Sequence, residues 1–391
     1  MIYLNDIGIV NALGYGKQAV YDNLLQGISP GMGEYESPIY NRSFIAGQVL
    51  QDLPQIPKEF SQFDCRNNQL IMAALEQIQE SIKAAVKMHG ADRVGVVVGT
   101  STSGIDEAEQ ALLFATNSGN LPENFDYKKQ EIGAASEFIA DFFKLQGPAY
   151  TISTACSSSG KVFASARELI NMGLCDCVIL GGADSLCELT LSGFASLEAT
   201  SSELTNPFSV NRKGINIGEG AAFFIMSREQ ADIRLMGVGE SSDAHHMSAP
   251  EPEGKGAEAA MRAALEDAML KSREVDYINL HGTGTKLNDA MESHAIFSIF
   301  SDKTPASSTK AYTGHTLGAA GATEAAICWL LLKNAKMKKL VVHQFDGQLD
   351  PLLSPINLAK QEDVESEVRV TMSNSFAFGG NNVSVILGGV D

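Results

Sequence analysis

Positive charge is scarce in this sequence. Its 391 residues include 29 lysines and arginines against 47 aspartates and glutamates, which gives a net charge of −18. Proteins that bind nucleic acid rely on cations to neutralise phosphates, so this excess of acid argues against nucleic acid as the main partner. It does not exclude an acidic protein partner, because a local basic patch can lie on an acidic surface.

Cysteine is also scarce, and long apolar runs are missing. The cysteines show neither a CxxC pair nor a metal-finger spacing, and they are Cys65, Cys156, Cys175, Cys177, Cys187 and Cys328. We therefore expect no bound metal and no disulfide framework, and a reducing compartment such as the cytoplasm. Residues 1–6 lack the basic start of a signal peptide. No apolar run reaches the roughly 18 residues that a membrane span requires, so none is expected.

An approximate internal repeat is the most informative pattern that is present. Three pairs of segments resemble each other in the same order along the chain: 94–109 and 275–292, 150–170 and 307–327, and 218–227 and 379–388. The first pair shares an apolar strand, a Gly-Thr-x-Thr turn and an acidic helix start. Three such pairs predict two similar halves, residues 1–232 and 233–391.

Strand and helix patterns alternate along both halves. Short apolar runs predict strands at 94–98, 149–153, 177–181, 221–227, 276–280, 339–343, 368–373 and 382–387. Longer periodic segments predict helices at 67–88, 105–116, 131–144, 157–172, 257–271, 288–300 and 317–333. Because 44% of the residues are apolar, a large core can be buried, and the alternation predicts an α/β layered architecture.

Cys156 lies where a predicted strand ends and a helix of small residues begins, in the segment Thr-Ala-Cys-Ser-Ser-Ser-Gly. Unpaired backbone N–H groups and the helix dipole favour negative charge at such a place. We therefore expect a lowered thiol pKa and a reactive thiolate. Position alone leaves a buried structural cysteine as an equal alternative.

Two histidines stand in comparable places. His281 ends an apolar strand, and the Gly-Thr-Gly-Thr turn after it offers the hydroxyls of Thr283 and Thr285 to a polar ligand. His315 precedes a second helix of small residues, in the relation that Cys156 bears to its own helix. Taken alone, a histidine at a strand end is a core residue as often as a catalytic one.

Two further features suggest a buried polar site. Glu324 falls within the apolar helix after His315, and a buried carboxylate needs a partner, for which Lys310 is the nearest candidate. The turn at 374–382 carries Phe376 and Phe378 beside two glycines. Such a turn predicts backbone N–H donors for an oxyanion and phenyl rings along an apolar channel. The alternative is a plain hairpin with core phenylalanines.

The ordered motifs Thr-Ala-Cys-Ser-Ser, His-Gly-Thr-Gly-Thr, Lys-x4-His-Thr-Leu-Gly-Ala-Ala-Gly and Asn-Ser-Phe-x-Phe-Gly-Gly make the whole chain resemble the elongating β-ketoacyl-(acyl carrier protein) synthases. The resemblance implies the thiolase fold, a five-layered α/β/α/β/α unit of two related halves. It implies an acyltransferase that condenses an acyl group with malonyl-carrier protein and releases CO2. No bound cofactor is implied, since substrates arrive on the phosphopantetheine arm of the carrier protein.

The resemblance also assigns residue roles. Cys156 is expected to carry the acyl group, while His281 and His315 stabilise the enolate and Lys310 with Glu324 orients His315. The resemblance also implies that Thr283 and Thr285 bind the pantetheine arm and that Asp289 and Glu292 support the site. The backbone of Cys156 and Phe378 is expected to form the oxyanion hole, with a gate at Phe378 and a channel wall at Phe376. Acyl carrier proteins are acidic, so a local basic patch is also expected; Arg66, Lys128 and Lys129 are the candidates, and scattered solvated charges are the equal alternative.

Related classes differ at these motifs. A degradative thiolase is expected to have a second cysteine near the C-terminus, and a non-catalytic chain-length partner is expected to lack Cys156. Both alternatives are therefore disfavoured, although the chain could pair with itself or with a chain-length-factor-like homologue. Ala377 and Asn381 stand where relatives usually have glycine and threonine, which suggests a specialised polyene or polyketide-type pathway.

Overall fold

The computed structural model describes residues 1–39, 42–360 and 367–390. Its strands are β1 Ile2–Asn11, β2 Gly14–Tyr15, β3 Met32–Glu36, β4 Ser43–Gly47, β5 Val94–Gly99, β6 Ala149–Ile152, β7 Cys177–Asp184, β8 Gly220–Ser227, β9 Ile233–Ser242, β10 Tyr277–Leu280, β11 Ala306–Ser308, β12 Val370–Phe376 and β13 Asn381–Gly389. Its helices are α1 Lys17–Gln26, α2 Arg66–Glu76, α3 Gln79–His89, α4 Ile105–Ser118, α5 Ala134–Phe143, α6 Ser158–Asn171, α7 Glu188–Ser196, α8 Lys255–Asp267, α9 Lys286–Phe300, α10 Lys310–Thr313 and α11 Ala320–Lys333. Within those ranges, every helix is too short or too polar to cross a bilayer.

One sheet joins the two halves of the chain. Its order is β11-β10-β12-β13-β9-β1-β8-β7-β5-β6, with β2 beside β1. Outward from the junction of β9 and β1, each side has two antiparallel strand pairs followed by two parallel pairs. The junction itself is only the pairing of Ile2 with Leu235 and of Tyr3 with Arg234. The molecule therefore consists of two five-stranded sheets with the same topology.

Helices cover these sheets in layers. On the outer face of the first sheet lie α2 and α5, and on the outer face of the second lies α8, with α9 packed beside it. Between the sheets lie α6 and α11, which contact each other and the strands on either side. This gives the five-layered α/β/α/β/α arrangement, with one apolar core between the sheets and one under each outer layer.

The two central helices pack unusually closely. A Cβ added to Gly321 of α11 would lie 2.5 Å from the backbone nitrogen of Gly160 in α6, and a Cβ on Gly160 would lie 2.5 Å from Cγ1 of Val383 in β13. Larger side chains at either position would push the helices apart. The small residues of both helices therefore set the separation of the two halves.

Several elements differ from the sequence-based expectation, which lacks β1–β4, β9, β11, α1, α7 and α10. Residues 339–343 are not a strand, although Leu340 and Val341 are buried. The predicted helix 67–88 is two helices, α2 and α3, because the backbone leaves the helical geometry at Ile78. Strand β1 was not predicted, because Asn5 and Asp6 interrupt its apolar pattern at a bulge in the pairing with β8.

Candidate active site

Cys156 sits on a tight turn between β6 and α6. Ala155, immediately before it, has a φ of 52°, a left-handed conformation that is uncommon for a residue with a side chain. Two hydroxyls hold this turn by donating to the carbonyl oxygen of Ala155, from Ser158 at 2.6 Å and from Ser101 at 3.2 Å. The turn places the Cys156 sulfur in the crevice at the ends of the strands.

His281 follows the last residue of β10, and two carboxylates of α9 hold the turn after it. Glu292 accepts the backbone N–H groups of His281 at 2.7 Å and of Gly282 at 2.6 Å. Asp289 accepts the N–H of Gly284 at 3.2 Å. This cradle of carboxylates fixes the backbone that carries the imidazole, which is the supporting position expected for both acids.

His315 does not stand in the same relation to its helix as Cys156. Cys156 lies two residues before α6, whereas His315 lies five residues before α11, with a 3₁₀ turn at Leu317–Ala319 between them. The left-handed residue that matches Ala155 is Leu317, with a φ of 50°. His315 is instead held by its own N–H, which donates to the carbonyl oxygen of Asn216 at 2.7 Å.

The three reactive side chains converge. Nε2 of His315 lies 3.0 Å from Sγ of Cys156, and the rings of His281 and His315 are 5.3 Å apart, edge to face. One ligand atom from each of the three residues lies within 4.8 Å of the others. All three side chains are buried, so a substrate carbonyl between them would meet a nucleophile and two imidazoles at once.

Lys310 and Glu324 form the predicted buried ion pair. Nζ of Lys310 lies 2.5 Å from Oε1 of Glu324, and each side chain is at most 2% exposed. Burial raises the pKa of Glu324 to about 7, and the Lys310 ammonium acts against this rise. The pair brings one positive charge close to the histidines, although no described atom joins Lys310 to either imidazole by a hydrogen bond.

Electrostatics make both histidines neutral at physiological pH. Burial lowers the pKa of His281 and of His315 well below the ordinary 6.5, and the nearby Lys310 ammonium lowers both further. A neutral imidazole carries one N–H donor and one acceptor nitrogen. Among the described residues, Nδ1 of neither ring has a hydrogen-bond partner, so no contact at Nδ1 fixes which nitrogen holds the proton.

The lowered thiol pKa expected at Cys156 is wrong for the resting site. Burial raises the pKa of this thiol to about 12, and the opposing effects of Lys310 and of the Phe378 N–H hydrogen bond are smaller. The free-energy cost of removing a thiolate from water is larger than the stabilisation that the start of the helix gives to its negative charge. The resting cysteine is therefore a thiol, with His315 in position to accept its proton.

The turn at 374–382 closes one side of the crevice. The backbone N–H of Phe378 points at the Cys156 sulfur. The Phe378 ring is half-buried against Phe194 of α7, with ring centroids 5.4 Å apart, and the Phe376 ring lies 6.1 Å from that of His281. Positive φ angles at Gly379 and Gly380 allow the tight turn. Phe194, which the sequence did not single out, is thus the surface on which the expected gate rests.

A cavity of about 640 Å³ opens onto these groups, a size suited to part of a long flexible substrate. Cys156, both histidines and the two phenylalanines line it. Thr283 and Thr285, whose hydroxyls are 2.9 Å apart, line its wall. Lys213 and Lys286 also line it.

The structure does not bring Arg66, Lys128 and Lys129 together as a free basic surface. Arg66 makes two hydrogen bonds to the buried carboxylate of Glu219, at 2.5 and 2.7 Å. Lys129 is buried, and Lys128 pairs with Glu131 and Glu137. Sequence alone could not reveal these partners, because Glu219 lies 153 residues from Arg66.

Asp184 is the main polar residue of this region that no sequence motif marks. It ends β7 and is fully buried beside the loop that contacts Ala155. The only local signal is an acid at the end of an apolar strand. Such a residue is normally read as the first polar residue of a surface loop.

Comparison with known proteins gives consistent matches over the whole chain. Residues 14–231 match the family model described as "Beta-ketoacyl synthase, N-terminal domain", and residues 233–343 match "Beta-ketoacyl synthase, C-terminal domain". The chain is 33% identical to 3-oxoacyl-[acyl-carrier-protein] synthase 2 of Coxiella burnetii, over 99% of this chain and 98% of the relative. It is 33% identical to Nodulation protein E of Rhizobium meliloti, over 86% of each.

Solved structures give the same result. The ketosynthase ApeO of Xenorhabdus doucetiae, solved in complex with its chain length factor ApeC, superposes with a TM-score of 0.95 at 46% identity, over 100% of this chain and 98% of that chain. The ishigamide ketosynthase/chain length factor gives a TM-score of 0.88 at 26% identity, over 100% and 99%. The predicted five-layered thiolase fold is confirmed.

Proposed function

The chain belongs to the β-ketoacyl synthase family of condensing acyltransferases, and we propose that it lengthens an acyl group on Cys156 with two carbons from malonyl-carrier protein. The observation that carries this proposal is the convergence of one thiol and two neutral imidazoles in a single cavity. A thiol accounts for acyl transfer, and two neutral N–H donors account for stabilisation of an enolate.

Acyl transfer is the first step. The Cys156 thiol gives its proton to Nε2 of His315, and the sulfur attacks the thioester carbon of the acyl-carrier protein. The backbone N–H groups of Cys156 and Phe378 donate to the oxyanion. The carbonyl re-forms as the pantetheine sulfur leaves, and this sulfur takes the proton from His315. The step ends with an acyl-cysteine and neutral histidines.

Decarboxylation and condensation follow. His281 and His315 each donate an N–H to the thioester oxygen of malonyl-carrier protein, and the electrons of the breaking C–CO2 bond flow into the enolate. The enolate carbon attacks the acyl-cysteine carbonyl, and the Cys156 sulfur leaves as a thiolate that regains its proton from solvent water. His315 accepts a proton from Cys156 in the first step and donates an N–H hydrogen bond to the substrate oxygen in the second. Its unconstrained Nδ1 is compatible with both tautomers.

The supporting residues act through charge and position. Lys310 disfavours protonation of both imidazoles, and Glu324 neutralises Lys310 so that a positive charge can remain buried. Asp289 and Glu292 hold the His281 turn, and Thr283 and Thr285 are placed to bind the amides of a pantetheine arm. The division of labour supports a boundary between two domains near residue 232, as does the symmetric strand order.

The carrier protein is proposed to dock at the mouth of the cavity. Lys286 and Lys213 lie there, and Lys213 is paired with the exposed Glu203. An acidic carrier protein could replace that surface pair at little cost, because exposed ion pairs contribute little. The predicted patch of Arg66, Lys128 and Lys129 remains a weaker proposal, since carboxylates or burial already occupy all three.

A homologous chain is the proposed permanent partner. Leu112, Leu113 and Phe114 of α4 are 62%, 39% and 51% exposed, an apolar segment that isolated proteins seldom leave in water. The ApeO relative was solved with a chain length factor. We propose that a chain-length-factor-like homologue, or a second copy, covers α4, and that the pathway is of the polyene or polyketide type. All six cysteines are free thiols, which fits the cytoplasm.

One experiment tests the proposed function. The protein, with its partner chain if one co-purifies, is incubated with octanoyl-carrier protein, and the adduct is located by intact-mass and peptide analysis. Malonyl-carrier protein is then added. An octanoyl group on Cys156 that moves to a ten-carbon β-ketoacyl-carrier protein is expected. Cys187→Ala is the matched control, because Cys187 is buried outside the cavity. No adduct, or an adduct on another cysteine, contradicts the proposal.

A further inference from the structure

The loop after β5 is held in a different way from its counterpart after β10. Both loops carry Gly-Thr-x-Thr, and both lead into a helix with acids at matching positions, Asp106 and Glu109 in α4 and Asp289 and Glu292 in α9. In α9 these acids accept the N–H groups of their own loop. In α4, Glu109 instead accepts the N–H groups of residues 188 and 189 at the start of α7.

Asp184 accepts the hydrogen bonds of the loop after β5. Its Oδ1 accepts the backbone N–H groups of Ser101 and Thr102, each at 2.8 Å, and the hydroxyls of Thr100 at 2.5 Å and Thr102 at 2.8 Å. Its Oδ2 accepts the N–H of Ala319 at 3.2 Å. The side chain is fully buried. A carboxylate with this many donors on both oxygens is held in one position.

Those donors belong to segments that reach both reacting groups. Ser101 connects Asp184 to the Cys156 turn, because its hydroxyl donates a hydrogen bond to the carbonyl oxygen of Ala155. Ala319 ends the 3₁₀ turn that follows His315. The approach is close: a Cβ on Gly318 would lie 2.8 Å from Oδ2 of Asp184 and 2.6 Å from the Ser101 hydroxyl oxygen.

We propose that Asp184 is a positioning residue that sets the distance between the Cys156 sulfur and the His315 imidazole by tying the Cys156 turn and the turn after His315 to one carboxylate. The proposal rests on the proposed roles of Cys156 and His315. Asp184 touches neither substrate nor reacting atoms and acts through the backbone of Ser101 and Ala319. Active-site geometry needs such support, because a displacement of about 1 Å can cost roughly 100-fold in rate.

Asp184 also contributes charge at the sulfur. The charged groups around Cys156 are Lys310, which lowers its pKa, and Asp184 and Glu324, which raise it, while His281 and His315 are neutral. Burial raises the pKa of Asp184 itself, and the hydrogen bonds from Thr100, Ser101 and Thr102 act against this rise. Removing the Asp184 charge is therefore expected to lower the pKa of the Cys156 thiol. A residue that only stabilised the fold would not shift this titration, so it separates positioning at the site from a general structural role.

The test uses Asp184→Asn beside Asp276→Asn. Asp276 is a matched control because its carboxylate also accepts two backbone N–H groups, from Arg369 and Val370. Two rates are measured on folded protein: octanoyl transfer to Cys156, and alkylation of Cys156 by iodoacetamide as a function of pH. In Asp184→Asn we expect octanoyl transfer at least about 100-fold slower at saturation, KM within about threefold, and the alkylation midpoint at lower pH. Asp276→Asn should match the wild type in both.

Each result decides the proposal. Octanoyl transfer within about threefold of the wild type in folded Asp184→Asn, or an unmoved alkylation midpoint, overturns it. If Asp184→Asn does not fold, Ser101→Ala is used instead, because that change removes only the hydrogen bond to Ala155. A rate of octanoyl transfer at least about fivefold lower than in the wild type supports the proposal, and a smaller decrease overturns it. If wild-type Cys156 is never acylated, the proposed function fails, and the alkylation midpoint alone then decides the role of Asp184.

Discussion

The half that carries Cys156 and the half that carries the histidines share one strand order but hold their strand-end loops differently. In the histidine half, Asp289 and Glu292 grip the loop that begins at His281. In the cysteine half, Asp184 grips the loop, which leaves Asp106 at the edge of a separate cavity of about 260 Å³. Among the described atoms, Oδ1 of Asp106 is buried without a partner. Two duplicated halves can thus keep the same topology while acidic residues at matching positions accept hydrogen bonds from different segments.

The largest expected effect separates the two halves chemically. Cys156→Ala removes the nucleophile of one half and leaves both histidines of the other. We expect condensation to fall below about one part in 10⁴, while CO2 release from malonyl-carrier protein continues, because enolate stabilisation needs only the imidazoles. Radiolabelled CO2 and product mass are measured together. Equal loss of both activities would show that the halves are not separable.

The next largest effect divides the two histidines. Replacing either with alanine should slow decarboxylation by about 10²- to 10⁴-fold. Only His315→Ala should also slow acyl transfer, because His315 is the imidazole 3.0 Å from the sulfur. Single-turnover acylation of the two variants, followed by mass spectrometry, measures the difference. Similar acylation rates in both variants would contradict the assignment of His315 as the proton acceptor.

Lys310→Met should change both stability and pH dependence. It leaves a buried carboxylate alone, which costs about 3–5 kcal/mol in free energy of unfolding, whereas Lys310→Met with Glu324→Leu should cost much less. Because the ammonium holds the pKa of both imidazoles down, its removal raises those pKa values. The acidic limb of activity then moves to higher pH. Urea unfolding and rates from pH 5 to 8 measure the two effects, and an unmoved limb would contradict the second.

A matched pair of substitutions sharpens the comparison of the acids. Glu292→Gln turns an amide N–H2 toward a backbone N–H of the His281 turn, and we expect decarboxylation to fall about tenfold. Glu109→Gln, at the matching position of the other half, should leave the rate nearly unchanged and lower the free energy of unfolding by about 1 kcal/mol. A large rate loss in Glu109→Gln would mean that α7 takes part in the chemistry.

The smallest effect concerns the carrier protein. Lys213→Glu with Lys286→Glu should raise the KM for acyl-carrier protein about three- to tenfold without changing the rate at saturation, since exposed charges act mainly on association. Lys128→Glu is the comparison variant and should have little effect on KM, because Lys128 already pairs with two glutamates. The reverse result would restore the patch predicted from the sequence.

Much of the candidate site could be predicted because its residues lie in short motifs at strand ends. His281 and Thr283 follow an apolar strand directly, and the pairing of Lys310 with Glu324 follows from the cost of a buried carboxylate. The roles of these residues remain predictions. Long-range partners could not be predicted, since neither the Glu219 contact of Arg66 nor the Ala319 contact of Asp184 leaves a local pattern. The Cys156 pKa was misjudged because burial depth is a property of the whole fold.

The fold, like the site, could be predicted in part, from the periodicity of apolar residues along the sequence. Helices of small residues and continuous apolar strands were recognisable, since burial on all sides removes polar positions. The interrupted strand β1 and the irregular 339–343 segment were not, because pairing and packing between distant segments decide them.

The contact of Gly160 with Gly321 has a consequence for how this enzyme fails on heating. Where the backbones of two helices are in direct contact, no flexible side chains lie between them, so the two sheets cannot separate gradually. Loss of activity should therefore coincide with cooperative melting and not precede it. Thermal stability would then be improved by substitutions that strengthen the contact between α6 and α11. Residues at the rim of the cavity could be changed separately to accept new acyl chains.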